Sequence, residues 1–203
     1  MIGLPFITEL FQSILTQSRT VQGRLFYLAR GGAEVNAEDF DAVISQSFES
    51  PADKKYPVAF LLPPLSRGFF TDAGGEWETY NVTMFFLTST FYDADGTKAV
   101  NPDTQTSTHT IQHDQHDCGR AARNFILVLD RICRGRGLVQ RKIQYLGKDA
   151  VLVSPVALLG VDRLSGVRLD FPIRVFNGCT LEDYSIDGIE EIVVPQDDPH
   201  PEH

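Results

Sequence analysis

The sequence predicts an α+β fold, in which an antiparallel or mixed β-sheet carries about three helices packed mainly on one face. Two observations favour this class. Three stretches have apolar residues at helical spacing, and several other runs have strand-like alternation or a short apolar core. No internal repeat is present, and the predicted order is helix, strand, helix, two strands, helix and three strands. We expect a single domain over residues 1–178 and an extended acidic C-terminal arm over residues 179–203.

The three helices are predicted from apolar residues that recur three and four positions apart. The first helix begins near Leu4, with Pro5 in its first turn. The second follows Asn36, a residue type that caps helix N-termini. The third covers residues 110–134 and ends before Gly135. The apolar positions of the third helix share one face: Cys118, Ala121, Ala122, Phe125, Ile126, Leu129, Ile132 and Cys133.

The first three strands are predicted over residues 23–29, 56–62 and 77–91, and residues 66–75 between the last two are predicted to form a loop. In the third strand, polar and apolar residues alternate up to Met84, which indicates a half-buried strand. From Phe85 onward both faces are apolar. We therefore expect that end of the strand to be covered on both sides.

Three closing strands are predicted over residues 142–147, 150–161 and 167–176, and their short turns favour an antiparallel meander. The last strand alternates most clearly. Its Pro172 cannot donate a hydrogen bond to a neighbouring strand. We therefore expect this strand to lie at a sheet edge or to carry a bulge.

The charge of the chain is concentrated at its C-terminus. The net charge is −9, yet eight of the 27 acidic residues follow Arg174, which leaves 19 acidic against 18 basic residues before them. A charge of this sign argues against general affinity for nucleic-acid phosphates. The acidic end is either a solvated tail, or an arm that meets a basic partner or repels DNA. No apolar stretch is long enough for a membrane helix and no secretory signal is evident, so we expect no membrane association.

A histidine and aspartate cluster is the main candidate for chemistry. On a helix, His109, His113, His116 and Asp117 share one face, and imidazoles one turn apart can share a metal ion. A polar helix start, with carboxylates favoured near the N-terminal dipole, explains the same residues. No glycine-flanked serine, phosphate-binding loop or calcium loop is present. We expect no cofactor and no enzymatic activity.

Residues 56–63 (YPVAFLLP) and 74–87 (GGEWETYNVTMFFL), with the flanking helices and the closing strands, resemble the tail terminator and tail-completion (neck) proteins of long-tailed bacteriophages. The resemblance covers the order of elements over residues 4–177. It implies a structural subunit that forms a ring, commonly of six copies, and joins the tail tube to the head connector. It also implies passage of DNA through a channel without specific binding, and a place in the virion after assembly in the host cytoplasm.

The surfaces expected to meet other proteins are one loop, one basic patch and part of the acidic arm. Carboxylates of the arm are expected to meet the basic patch of an adjacent protein, or to line the channel and repel DNA. The arm also contains a strand-capable segment. These interface candidates are Phe69, Phe70, Arg134, Arg136, Glu190, Glu191, Ile192, Val193 and Val194. Two alternatives remain: a metal-dependent enzyme built on the histidine cluster, and a non-viral soluble adaptor.

Overall fold

The computed structural model describes residues 4–28, 37–47, 56–72, 75–89, 108–134, 143–145, 147–160 and 162–176. Within these ranges the chain forms three helices and a seven-stranded mixed sheet, which confirms the α+β prediction. The acidic arm, residues 179–203, lies outside the described residues. The helices are α1 (Leu4–Thr16), α2 (Ala37–Ser47) and α3 (Thr108–Arg134). The strands are β1 (Leu25–Tyr27), β2 (Val58–Leu61), β3 (Leu65–Asp72), β4 (Gly75–Ser89), β5 (Ile143–Tyr145), β6 (Leu152–Leu159) and β7 (Leu164–Phe176).

The sheet is built around the two longest strands. β4 and β7 pair in antiparallel register without interruption, from Trp77 opposite Phe176 to Ser89 opposite Leu164. β2 and β3 share the other side of β4, and both are antiparallel to it. β1 is parallel to β2 and extends that side of the sheet. β5 and β6 share the far side of β7.

The prediction of a loop over residues 66–75 is wrong, because most of this segment forms β3. Residues 65–72 make a tight hairpin with β4, in which Asp72 pairs with Gly75. The register shifts between Ser66 and Gly68, so the glycine that suggested a loop lies at an irregularity of a strand instead.

The predicted meander of the last three strands is also wrong. β6 and β7 form a hairpin, but β5 pairs with β7 instead of β6. Consequently β7 has partners on both sides and is not an edge strand, and the register shift on this side lies in β6, between Val156 and Leu159. Pairing with β6 stops at Asp170 and pairing with β5 starts at Ile173, so Pro172 occupies the gap between them.

Two apolar cores lie on opposite faces of the sheet. On one face α1 and α3 pack on the sheet, and the Phe11 and Phe125 rings meet edge to face with their centroids 5.2 Å apart. On the other face α2 places Phe40 against Phe60 and Phe85, at 5.0 and 5.1 Å. Two of the three helices therefore share a face. The second core also confirms that β4 is covered on both sides from Phe85 onward.

Gly166 of β7 lies opposite Leu87 of β4 and leaves no room for a side chain. A Cβ added there would lie 3.0 Å from Leu87 Cα and closer still to the Phe86 carbonyl oxygen, both backbone atoms. We expect Gly166→Ala to lower the free energy of unfolding by about 2–3 kcal/mol, because the β4–β7 ladder must move apart. Urea unfolding followed by circular dichroism measures the effect.

Gly119→Ala is the matched control for this substitution. Its Cβ would make an ordinary contact, 3.8 Å from Val167 Cγ1, within α3. It should therefore stabilise the protein by about 0.5–1 kcal/mol through helix propensity. Equal effects of the two substitutions would contradict the steric argument.

Candidate functional site

The first turns of α3 bring part of the predicted histidine cluster together. Nδ1 of His113 lies 3.6 Å from Oδ2 of Asp117. Nδ1 of His116 lies 3.4 Å from Oδ1 of the same aspartate. The two imidazoles are 65% and 70% exposed. The side chain of His109 lies outside the described part of the chain. Among the described residues, no group of three or more histidine, cysteine, aspartate or glutamate side chains is placed to hold a metal ion.

Asp114 follows His113 on the same helix, and its carboxyl group has a strongly altered pKa. Its Oδ2 atom is buried and has no hydrogen-bond partner among the described residues. Burial raises the pKa of the carboxyl group to about 6; His113 opposes this shift and Asp117 adds to it. The carboxyl group therefore titrates close to neutral pH.

The cysteines of α3 are unsuited to nucleophilic chemistry. Cys118 is buried in the α1–α3 core, as its position in the apolar stripe predicted. Burial raises its thiol pKa to about 12, with smaller contributions from Asp114 and Asp117. Burial likewise raises the thiol pKa of Cys133 to about 11, and Asp130 adds to the shift. Both side chains therefore remain neutral thiols near pH 7.

The buried carboxylates of the described chain take part in structural contacts. Oδ2 of Asp162 accepts a 2.7 Å hydrogen bond from the Tyr56 hydroxyl. The Tyr80 hydroxyl donates to Glu78 Oε2 at 2.5 Å, and burial together with this contact raises the tyrosine pKa. The first bond joins the segments that precede β2 and β7, and the second lies within β4. Each of these carboxylates therefore has a partner within the fold.

The predicted interface residues are only partly described. Phe69 and Phe70 belong to β3 instead of a loop, and their side chains lie outside the described residues. Arg134 ends α3 and donates from Nε to Asp130 Oδ1 at 2.9 Å, so its charge is shared with a carboxylate of its own helix. Arg136 and the residues Glu190, Glu191, Ile192, Val193 and Val194 also lie outside the described part.

One exposed apolar surface that the sequence analysis did not identify lies on β6. Leu152 is 61% exposed and Val153 is 48% exposed. Since neighbouring residues of a strand point to opposite faces, the strand presents apolar side chains on both faces. No described strand pairs with the outer edge of β6. A long edge with exposed apolar residues is a ready site for strand pairing with another chain.

The opposite margin of the sheet has exposed apolar residues too. Tyr27 of β1 and Leu65 of β3 are the exposed large apolar residues at this margin. No described strand covers the outer edges of these two strands. The two margins therefore lack a neighbouring strand among the described residues, and in this sense we call them free margins. They differ in sequence and in strand direction.

The second overlooked surface is the outward face of α3. Leu127 and Val128 are exposed on it, beside a groove of about 410 Å³ between the end of α1 and the middle of α3. Arginines occupy the positions before and after these two residues: Arg120, Arg123, Arg131 and Arg134. Their spacing of three and four positions was visible in the sequence. The helix prediction rests on the apolar stripe of the other face, and of these arginines it named only Arg134 as an interface candidate.

No helix among the described residues combines the length and the apolar character needed to cross a membrane.

Asp114→Asn tests the altered acidity of the half-buried carboxyl group. Because the folded pKa of about 6 exceeds the unfolded value near 3.9, the wild-type protein loses stability as the pH rises from about 4 to 6. The asparagine variant lacks this loss. We expect it to be more stable than wild type at pH 7, by about 1 kcal/mol since solvent screens part of the effect, and equally stable below pH 4.

Thermal unfolding between pH 3.5 and pH 8 measures this difference, with Asp117→Asn as the control on the same helix. The Asp117 side chain is about half exposed, so its substitution should change stability by no more than about 0.5 kcal/mol. If the difference in stability between wild type and Asp114→Asn stayed constant with pH, it would contradict the raised pKa of Asp114.

No protein-family model matches this chain, and no curated protein matches it. The candidate surfaces are therefore defined by the geometry of the chain itself: the histidine pair on Asp117, the two free margins of the sheet and the outward face of α3.

Proposed function

We propose that this chain is a structural virion protein, a ring-forming tail terminator or neck component that joins the tail tube of a long-tailed bacteriophage to the head connector. The observation that carries the proposal is the pair of free sheet margins, one at β6 and the other at β1 and β3, each with exposed apolar residues. The motif resemblance of residues 56–63 and 74–87 supplies the viral setting.

A closed ring of identical subunits needs two different, complementary surfaces on each subunit. The margin at β6 presents Leu152 and Val153, and the margin at β1 and β3 presents Tyr27 and Leu65. Contact between these margins of adjacent copies would bury apolar area and satisfy unpaired backbone groups. The proposed partners are further copies of the chain, most simply six in all, together with tail-tube and head-connector proteins.

The charge of the chain suits a channel through which DNA passes. With a net charge of −9, most of it after residue 174, the subunit repels phosphates at a distance. In this proposal the DNA crosses the ring without specific binding, and the protein has no catalytic step. It acts in the virion, after assembly in the host cytoplasm.

A metal-dependent enzyme is the second candidate, built on His113 and His116 near Asp117, although these three side chains are not placed to hold a metal ion. A non-viral adaptor that self-associates through the same margins is the remaining alternative. The neighbouring genes distinguish it from a tail protein, because portal, tail-tube or tape-measure genes would indicate the virion setting.

Replacing Leu152 and Val153 together by aspartate tests the ring. We expect the wild-type chain to have a mass several times 22.6 kDa by light scattering, and the double variant to be mainly monomeric. Charges at an apolar strand edge oppose edge-to-edge pairing, so the association constant should fall at least about a hundredfold. Ala42→Asp adds a charge at an exposed position of α2 and should leave the mass unchanged. A wild-type monomer at micromolar concentration would contradict the proposal.

Elemental analysis of protein purified without an affinity tag tests the enzyme alternative. Two exposed imidazoles and one shared carboxylate should hold metal weakly, so we expect less than about 0.1 equivalent of zinc, manganese or iron per chain. One equivalent that is lost in His113→Ala would instead favour the enzyme. Gln112→Ala, at the preceding exposed position of α3, is the control for nonspecific effects.

A further inference from the structure

The outward face of α3 is a basic stripe with an apolar centre. At 3.6 residues per turn, its members fall on one side of the helix, opposite the residues that face the sheet. All of them are exposed. We call this surface the α3 stripe; it consists of Arg120, Arg123, Asn124, Leu127, Val128, Arg131 and Arg134.

Most of the positive charge on the α3 stripe has no counter-charge among the described residues. Among the described residues, Arg120, Arg123 and Arg131 form no ion pair. Only Arg134 has a carboxylate partner on the helix, Asp130. Arg19, at the other wall of the adjoining groove, adds a further guanidinium. The stripe therefore suits a ligand that has carboxylates around apolar side chains.

The described chain ends at the same end of the molecule as the last residue of this stripe. α3 and β7 run in the same direction, since Gly119 is beside Val167 and the Phe125 ring centroid lies 6.1 Å from that of Phe171. Phe176, the end of β7, is therefore at the same end of the molecule as Arg134. From there, residues 177–203 continue for 27 positions.

The length of this continuation is sufficient to reach the stripe. Glu182 is six positions after Phe176, and six extended positions span up to about 20 Å. This distance exceeds the diameter of about 10–12 Å of a helix with its side chains. The stripe from Arg134 to Arg120 is about 21 Å long, which an extended segment of seven residues matches.

We propose that residues 182–194 of the same chain dock on the α3 stripe. This segment has five carboxylates and five β-branched apolar residues: Glu182, Asp183, Asp187, Glu190, Glu191, Ile186, Ile189, Ile192, Val193 and Val194. Its carboxylates pair with the unpartnered arginines, and its apolar residues cover Leu127 and Val128 and enter the groove. The sequence analysis expected the arm to contact an adjacent protein. The contact proposed here instead lies within one subunit. It does not depend on the virion role.

A docked segment has a functional consequence for any partner of α3. A protein that binds the stripe must first displace the arm, so the arm competes with that partner by mass action. An acidic partner that complements the α3 stripe less well than the arm does is therefore excluded from this surface.

Glutamate-specific proteolysis of the full-length chain tests the proposal, because cleavage after Glu190 and Glu191 requires the arm to leave the stripe. We expect the triple variant Arg120→Gln, Arg123→Gln, Arg131→Gln to be cleaved there roughly three- to tenfold faster than wild type, since three exposed ion pairs are lost. The corresponding triple lysine variant, which keeps the charges, should retain most of the protection. Raising the salt concentration to about 1 M should accelerate cleavage of wild type more than that of the glutamine variant.

The control is a chain with Ala42→Asp, Ser45→Asp and Gln144→Asp. It has the same change in net charge as the glutamine variant, on exposed positions of α2 and β5. We expect it to be cleaved at the wild-type rate. Equal cleavage of the glutamine variant and wild type, or equal acceleration in the control, would overturn the proposal. Protection that falls on tenfold dilution would also overturn it, because the arm would then occupy a second copy.

Discussion

The antiparallel ladder between β4 and β7 determines where every other described element lies. Because side chains alternate along both strands, the register from Trp77–Phe176 to Ser89–Leu164 assigns each apolar residue to one of two cores. Met84 and Phe86 point to α1 and α3, whereas Phe85 and Leu87 point to α2. A shift by one residue would exchange the two sets. The two free margins and the α3 stripe are consequences of this ladder, since it fixes which strands end at the edge and which helix face is turned outward.

The helices and the long strands could be predicted because their information is local. The positions of Cys118, Phe125 and Leu129 at helical spacing were enough to identify the buried face of α3. Strand pairing was harder to predict, because it depends on residues far apart in sequence. Gly68 indicated a loop only until its hairpin partner was known, and Pro172 indicated an edge although it lies in a gap between two neighbouring strands.

The candidate surfaces show the same difference between features set by local sequence and features set by tertiary contacts. The contact of His113 with Asp117 follows from helical spacing and was anticipated, whereas His116 contacts Asp117 as its neighbour in sequence. The acidity of Asp114 depends on how deeply its side chain is buried. The exposure of Leu152 and Val153 could not be predicted, because in sequence they resemble any buried strand. Only the tertiary pairing shows that β6 has one described neighbour. The α3 stripe was within reach of the sequence, since its arginines and apolar residues have helical periodicity.

The central ladder also constrains the order in which the chain can fold. Paired residues of β4 and β7 are separated by 75 to 99 positions, whereas the β3–β4 and β6–β7 hairpins are local. Closing so long a loop is entropically costly, so the hairpins and α3 can form early while the ladder forms late. Until then the run from Val82 to Leu87 is an uncovered apolar strand of high β-propensity, the kind of segment that nucleates aggregation. Synthesis of β4 precedes that of β7, and the nascent chain must therefore pass through a stage in which chaperone binding or rapid collapse onto α1 shields this strand.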